Sequence, residues 1–201
     1  MASVAVAYPG ALHARDVAAR SRDSLDRALA HDAELTIASV ADDAAILGAF
    51  QRAGEVHADC TLFRRGSGGA AVRVGPGTLW VSLALARVDA LVACTPDRIM
   101  NRHVRPLLRA LTKSGALAHY FGKDWISVAH RPAASCGFSH DRGSGRCMFE
   151  AFVALSTPFA LGPRGSFDGK EPATLAELTG KTFDPARVAR AIGDAYAPGA
   201  P

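Results

Sequence analysis

Leu62-Phe63-Arg64-Arg65-Gly66-Ser67-Gly68-Gly69-Ala70-Ala71-Val72 carries a short apolar segment into two arginines and then into a loop of small residues. Backbone N–H groups in such a loop can converge on an anion, and glycine there allows close approach of a ligand or a positive φ. Arginine adds planar, charge-assisted donors suited to phosphate or carboxylate. A glycine-rich turn between two strands of a plain hairpin has the same composition, so both readings stay open. A second turn, Gly75-Pro76-Gly77, follows at once.

Outward from the loop, strand and helix signals alternate. Residues 35–40 alternate like a half-buried strand, and residues 44–50 and 60–65 read as two more. Residues 78–85 form a near-continuous apolar strand, and residues 125–129, 133–138 and 147–156 add three. Residues 16–31 make a weakly amphipathic helix through Val17, Leu25 and Leu29. The clearest helix covers residues 97–112, where Met100, Val104, Leu107, Leu108 and Leu111 share one face. Pro106 inside it predicts a kink or a junction of two helices. Near the end, Asp184 is placed as an N-cap with Pro185 at the first helical position. Strands outnumber helices and adjoin through short turns, which predicts an α+β fold: a mixed, mostly antiparallel sheet flanked by helices. Its central sheet is expected to take residues 60–65, 70–85 and 125–138. Residues 157–171 are the one loop-rich stretch.

Composition narrows the class. The chain has 201 residues, 49% of them hydrophobic and 21% charged, with a formal charge of +4 from 23 basic against 19 acidic residues. That is globular usage for one domain over residues 1–201, without the dense basic run of a nucleic-acid binder. Four of the basic residues are lysines (Lys113, Lys123, Lys170 and Lys181), and all the others are arginine. No stretch approaches the ~18–20 apolar residues of a membrane span. The start lacks the basic and long apolar regions of a signal peptide. Four cysteines without a CxxC pair make no disulfide framework, so a cytoplasmic location without membrane partners is expected.

In sequence order these segments resemble the lipoate–protein ligase and octanoyltransferase family, which shares its catalytic fold with biotin protein ligases. Arg64-Arg65-Gly66-Ser67-Gly68-Gly69 is similar to the ligases' RRxSGG loop, with Ala71-Val72 also fitting. Ala45-Ile46-Leu47-Gly48-Ala49-Phe50-Gln51 resembles the preceding strand end. Gly75-Pro76-Gly77-Thr78-Leu79 looks like the HGPGQL segment of octanoyltransferases. Gly122-Lys123-Asp124-Trp125-Ile126 is similar to a G-R-N-D strand entry, one residue shorter, and Ala173-Thr174-Leu175-Ala176-Glu177-Leu178 to the T-x-L-x-x-L segment. The likeness runs from about residue 43 onward, over a catalytic domain without a C-terminal accessory domain.

The resemblance implies that lipoate or octanoate is activated with ATP and Mg²⁺ as an acyl-adenylate. The acyl group then passes to a lysine of a lipoyl-acceptor domain, with a separate accessory subunit as a further partner. Arg64, Arg65, Ser67, Gly68, Gly69, Gly75, Gly77 and Asp124 are implied to hold substrate or nucleotide, and an apolar tunnel through Val81, Leu83 and Ile126 the acyl chain. No residues are implied as metal ligands. Two departures stand out. Arg131 occupies the place of the ligases' lysine in a Gly-Arg-Lys segment, where it takes over part of that lysine's catalytic work, and Val74-Gly75 replaces the histidine after the glycine loop. These losses keep a second reading alive, a non-catalytic protein that holds an acyl chain or a lipoyl domain.

Other residues carry alternatives. Cys136 and Cys147 are small core residues or acyl-accepting nucleophiles. Asp124 is a turn acid or a pocket carboxylate. Glu150, inside an apolar strand, faces solvent or pairs with a loop arginine. His57, Cys60, Cys136, His140 and Cys147 match no standard zinc spacing.

Overall fold

The computed structural model describes residues 2–56, 59–159, 161 and 167–197. In chain order these form β1 (Val4–Ala7), β2 (Ala11–Leu12), α1 (Ala14–Asp26), β3 (Ala33–Val40), β4 (Ala44–Leu47), β5 (Leu62–Arg64), β6 (Val72–Val74) and β7 (Thr78–Leu85). There follow α2 (Ile99–Lys113), β8 (Ala118–His119), β9 (Trp125–Val128), β10 (Arg131–His140), β11 (Cys147–Ala154), α3 (Leu175–Thr179) and α4 (Pro185–Tyr196).

Two sheets share this chain. The large one runs β1-β3-β7-β11-β10-β9-β8, with β2 also paired to β3, and the small one runs β5-β4-β6. In the large sheet the β1–β3 and β2–β3 pairs are parallel and the rest are antiparallel. The mixed, mostly antiparallel α+β architecture is therefore as expected. The contents of the central sheet are not. Residues 62–64 and 72–74 belong to the small sheet, because the Gly75-Pro76-Gly77 turn lets the chain leave one sheet and enter the other.

Every residue of β7 and of β11 is buried, since both strands lie mid-sheet with matter on either face. Such strands read as unbroken apolar runs rather than as alternation. On one face, Leu35, Ile37, Val81, Leu83, Phe149 and Ile126 pack under α2 and α4. On the other, Trp80, Phe152 and Trp125 meet α1 and the small sheet.

The helices follow their local signals with shifted ends. α2 is one continuous helix through Pro106, with Ile99, Val104, Leu107 and Leu111 buried. Pro106 costs one backbone donor on a half-exposed side, and the packed face holds the helix together. α4 begins as its sequence predicts: the Asp184 side chain accepts from Ala186 N–H at 3.0 Å, with Pro185 following. α3 opens with a capping box, in which Thr174 and Glu177 exchange hydrogen bonds at 3.1 and 2.7 Å. α1 starts earlier than expected and stops at Asp26, leaving Leu29 outside it.

Candidate functional site

The glycine loop is assembled from its own arginines. β4 ends at Leu47, and residues 48–51 form a tight turn rather than the continuation of a strand, with Gln51 N–H donating to the Gly48 carbonyl at 3.2 Å. One Arg64 nitrogen donates to the carbonyls of Gly48, Ala49 and Gln51 at 2.9, 3.1 and 2.6 Å. Arg65 is fully buried and folds back on the loop it opens. Its Nε donates to Ser67 Oγ at 2.9 Å, and its terminal nitrogen to the carbonyls of Gly68 and Ala70 at 2.7 and 3.0 Å. Its guanidinium lies 5.2 Å from the Phe152 ring centroid.

Beneath Arg65 sits Glu150, wholly buried on β11. Its carboxylate accepts from Trp80 Nε1–H at 2.8 Å and from the Ser21 hydroxyl at 2.9 Å. Ser21 Oγ in turn accepts from Gly66 N–H at 2.8 Å. Burial lowers the pKa of Arg65, and the negative charge of Glu150 opposes that. The solvent-facing reading of Glu150 is thus corrected: on a mid-sheet strand both faces are interior. The carboxylate instead faces a loop arginine within electrostatic reach.

The loop lies flat on β10. Gly68 N–H donates to the Phe138 carbonyl at 2.9 Å, and Ser139 Oγ donates to the Gly66 carbonyl at 2.8 Å. A Cβ on Gly137 would run into the Gly68 carbonyl, and one on Gly69 would come within 2.7 Å of the Cys136 carbonyl. Gly69 also has φ of +92°, where a side chain is strained. Gly69→Ala is therefore expected to cost about 1–3 kcal/mol of stability as well as disturbing the loop. Urea titration checks this, and a wild-type midpoint would mean that the loop yields freely.

Between the loop, β10, the start of α2 and the β8–β9 connection lies a cleft of about 870 Å³. Phe50, Met100, Tyr120, Cys136 and Phe138 give it apolar surface, and Asp97, Lys123, Asp124, His140 and Arg142 give it charge and hydrogen-bonding capacity. Of the residues implied by resemblance, Gly68, Gly69 and Asp124 line it. Arg64, Arg65 and Ser67 do not: one Arg64 nitrogen holds the carbonyls of the 48–51 turn, and Arg65 and Ser67 bond to each other within the loop. Gly66 and Gly68 likewise spend their N–H groups on protein acceptors rather than presenting them to a ligand. Gly75 and Gly77 serve the turn between the sheets, beside Asp43, Ser156 and Thr157. Arg131, at the exposed start of β10, donates to the carbonyls of Glu171 and Pro172 at 3.0 and 3.2 Å.

Val81, Leu83 and Ile126 do not wall a tunnel; all three are sealed in the core beneath the helices. Cys136 borders the cleft, but burial first, and then the Asp124 charge, push its thiol far up. Burial raises Cys147 to about 12. Burial thus favours the small-core reading of both cysteines. Asp124 serves both as a turn residue, with its carbonyl accepting from Cys136 N–H at 2.7 Å, and as a cleft carboxylate. Among the described residues no three His, Cys, Asp or Glu side chains group to hold a metal, and His57 lies outside those residues. Among the same residues no helix is long and apolar enough to cross a membrane.

Lys123 and Phe50 are cleft residues that sequence reasoning missed as such. Both stand in exposed turns, where a single lysine or phenylalanine carries no local signal that distant segments fold a cleft around it.

No protein-family model matches the sequence, and no curated protein does. Solved structures do match. A lipoate-protein ligase A bound with ATP shares 14% identity, covering 98% of this chain and 84% of its own, with a TM-score of 0.72. A bipartite lipoate protein ligase from Thermoplasma acidophilum, studied with its E2 lipoyl domain, shares 15% identity over 97% and 83% of the two chains at a TM-score of 0.74. A biotin protein ligase from Leishmania major, in complex with biotin, lies further off: 17% identity over 95% and 72%, TM-score 0.52. The chain has the catalytic-domain fold shared by these lipoate and biotin ligases, and it superposes better on the lipoate ligases.

Proposed function

We propose that a chain with this fold acts as a lipoate– or octanoate–protein ligase-like acyl enzyme. It joins the acid to AMP with release of pyrophosphate and then passes the acyl group to the ε-amine of a lysine on a lipoyl-acceptor domain. The observation that carries this reading is the cleft beside Gly68 and Gly69. It combines an apolar wall with charged groups, and its volume lies in the range of small-molecule sites. The ATP complex of one similar ligase supports ATP as the activating substrate, and the E2 lipoyl domain of another supports the acceptor. The bipartite make-up of that second protein supports a separate accessory subunit.

Magnesium is commonly carried by one or two carboxylates together with substrate phosphates. Asp97 and Asp124, both on the cleft, fit that demand. When bound, the ion screens the triphosphate charge. The chain's own residues do the rest: the loop forms a rigid floor, and the aromatic wall excludes water from the acyl chain.

A second reading, a binder without catalysis, draws on Arg131, whose guanidinium sits on the Glu171 and Pro172 carbonyls and not on the cleft. ATP–pyrophosphate exchange decides between the two. Exchange that depends on lipoate or octanoate is expected for the acyl enzyme, and Arg131→Ala abolishes it if that residue shares the missing lysine's work. Calorimetric binding of the acid with no exchange supports the binder. Absence of both removes the acyl reading.

A further inference from the structure

We propose that Lys123 anchors the acid end of the ligand in the cleft, and that Asp168 is the internal carboxylate it leaves on binding. The ligand class is a monocarboxylic acid with an apolar chain, and the inference rests on the acyl-enzyme reading above.

The arginines that sequence resemblance would send to this task are committed elsewhere. Arg64 holds carbonyls of the 48–51 turn, Arg65 those of the glycine loop, and Arg131 those of Glu171 and Pro172. Lys123 lines the cleft beside Asp124. Its ammonium pairs with the Asp168 carboxylate at 3.0 Å and lies 5.9 Å from the Trp125 ring centroid. The side chains of Lys123 and Asp168 are 49% and 59% exposed, so solvent screens the pair and it contributes little. A ligand carboxylate can therefore replace Asp168 without large loss.

The two partners differ in freedom. Asp168 has φ of +53° and follows Phe167, which is buried edge-on against Trp125 and Phe159 at 5.7 and 5.5 Å. Its position is set by that aromatic anchor. Lys123 has a four-carbon stem carrying a compact charge with three donors, which can swing from one carboxylate to another. Asp168 thus does two things: it keeps the ammonium beside the cleft, and it competes with the ligand. Arg142 also borders the cleft, on the exposed loop after β10, and serves as the comparison.

The test is calorimetric titration of the full chain with octanoate and with octanamide, which differ in charge and share the apolar chain. Lys123→Met is expected to weaken octanoate about tenfold and leave octanamide within twofold. Asp168→Asn is expected to tighten octanoate two- to threefold, and Arg142→Gln to change little. Unchanged octanoate binding in Lys123→Met overturns the proposal. So does equal weakening of both compounds, which would indicate a merely structural role, and so does an Arg142→Gln loss that exceeds that of Lys123→Met. If the wild-type chain binds neither compound, the acyl reading itself falls and this inference with it.

Discussion

Glu150→Ala is expected to lower stability by about 3–5 kcal/mol, the cost of breaking a buried charge arrangement by removing one member. The substitution strips the acceptor from Trp80 Nε1–H and from the Ser21 hydroxyl, and it removes the anion that favours the charged form of Arg65. Ser21 also receives Gly66 N–H, so the effect reaches the glycine loop. Glu150→Gln retains one carbonyl acceptor and should cost less. Urea unfolding of the two variants gives the magnitudes. A loss below about 1 kcal/mol for alanine would show that Arg65 needs no buried counter-charge. Ligand binding in the cleft should weaken alongside stability, because Arg65 shapes the loop that floors it.

Acid should destabilise the protein well above the carboxylate range, and His103 is the reason. This α2 imidazole is buried, and burial lowers its pKa from 6.5 to about 4, against the favourable effect of a hydrogen bond to the Val88 backbone. Its Nε2 meets no protein partner among the described residues. Since the folded pKa lies below the unfolded one, the unfolded chain takes up the extra proton. The contribution is complete above pH 6.5 and is lost as the pH falls toward 4. At about 1.4 kcal/mol per pKa unit the loss is on the order of 3 kcal/mol. Glu34, Asp32, Asp97 and Asp141 also have lowered pKa values, from starting values of 4.5 or less, and so act at or below the lower end of this window. Melting temperatures across pH 7 to 4.5 test it. Wild type should lose stability through that range, and His103→Gln should flatten the slope. An equally steep slope in the variant would assign the effect to other groups.

Elements were legible wherever neighbours along the chain decide conformation. α4 announced itself through Asp184 and Pro185, and α2 through the spacing of Val104, Leu107 and Leu111, despite Pro106. β7 and β11 were legible as apolar runs. The Gly66–Gly69 loop was legible as a special turn, since a positive φ at Gly69 and close backbone approach call for glycine within a few residues. The sheet switch at Gly75-Pro76-Gly77 was not. A turn signal says that the chain reverses, but not which strand it then pairs with.

Side-chain assignments divide along the same line. The sequence by itself determined the α+β class, the principal helices and strands, and that a glycine-rich loop follows two arginines. These are local properties, set by periodicity, caps and turn chemistry. Only the tertiary structure decided what the charges do. Arg65 and Glu150 are 85 positions apart in sequence and face each other because α1, β7 and β11 bring Ser21, Trp80 and Glu150 under the loop. Arg131 and Lys123 found different partners because the chain around residues 167–172 offers carbonyls to one and a carboxylate to the other. A charged side chain goes to the partner that best repays its desolvation. That partner is supplied by distant segments, so no local pattern can name it.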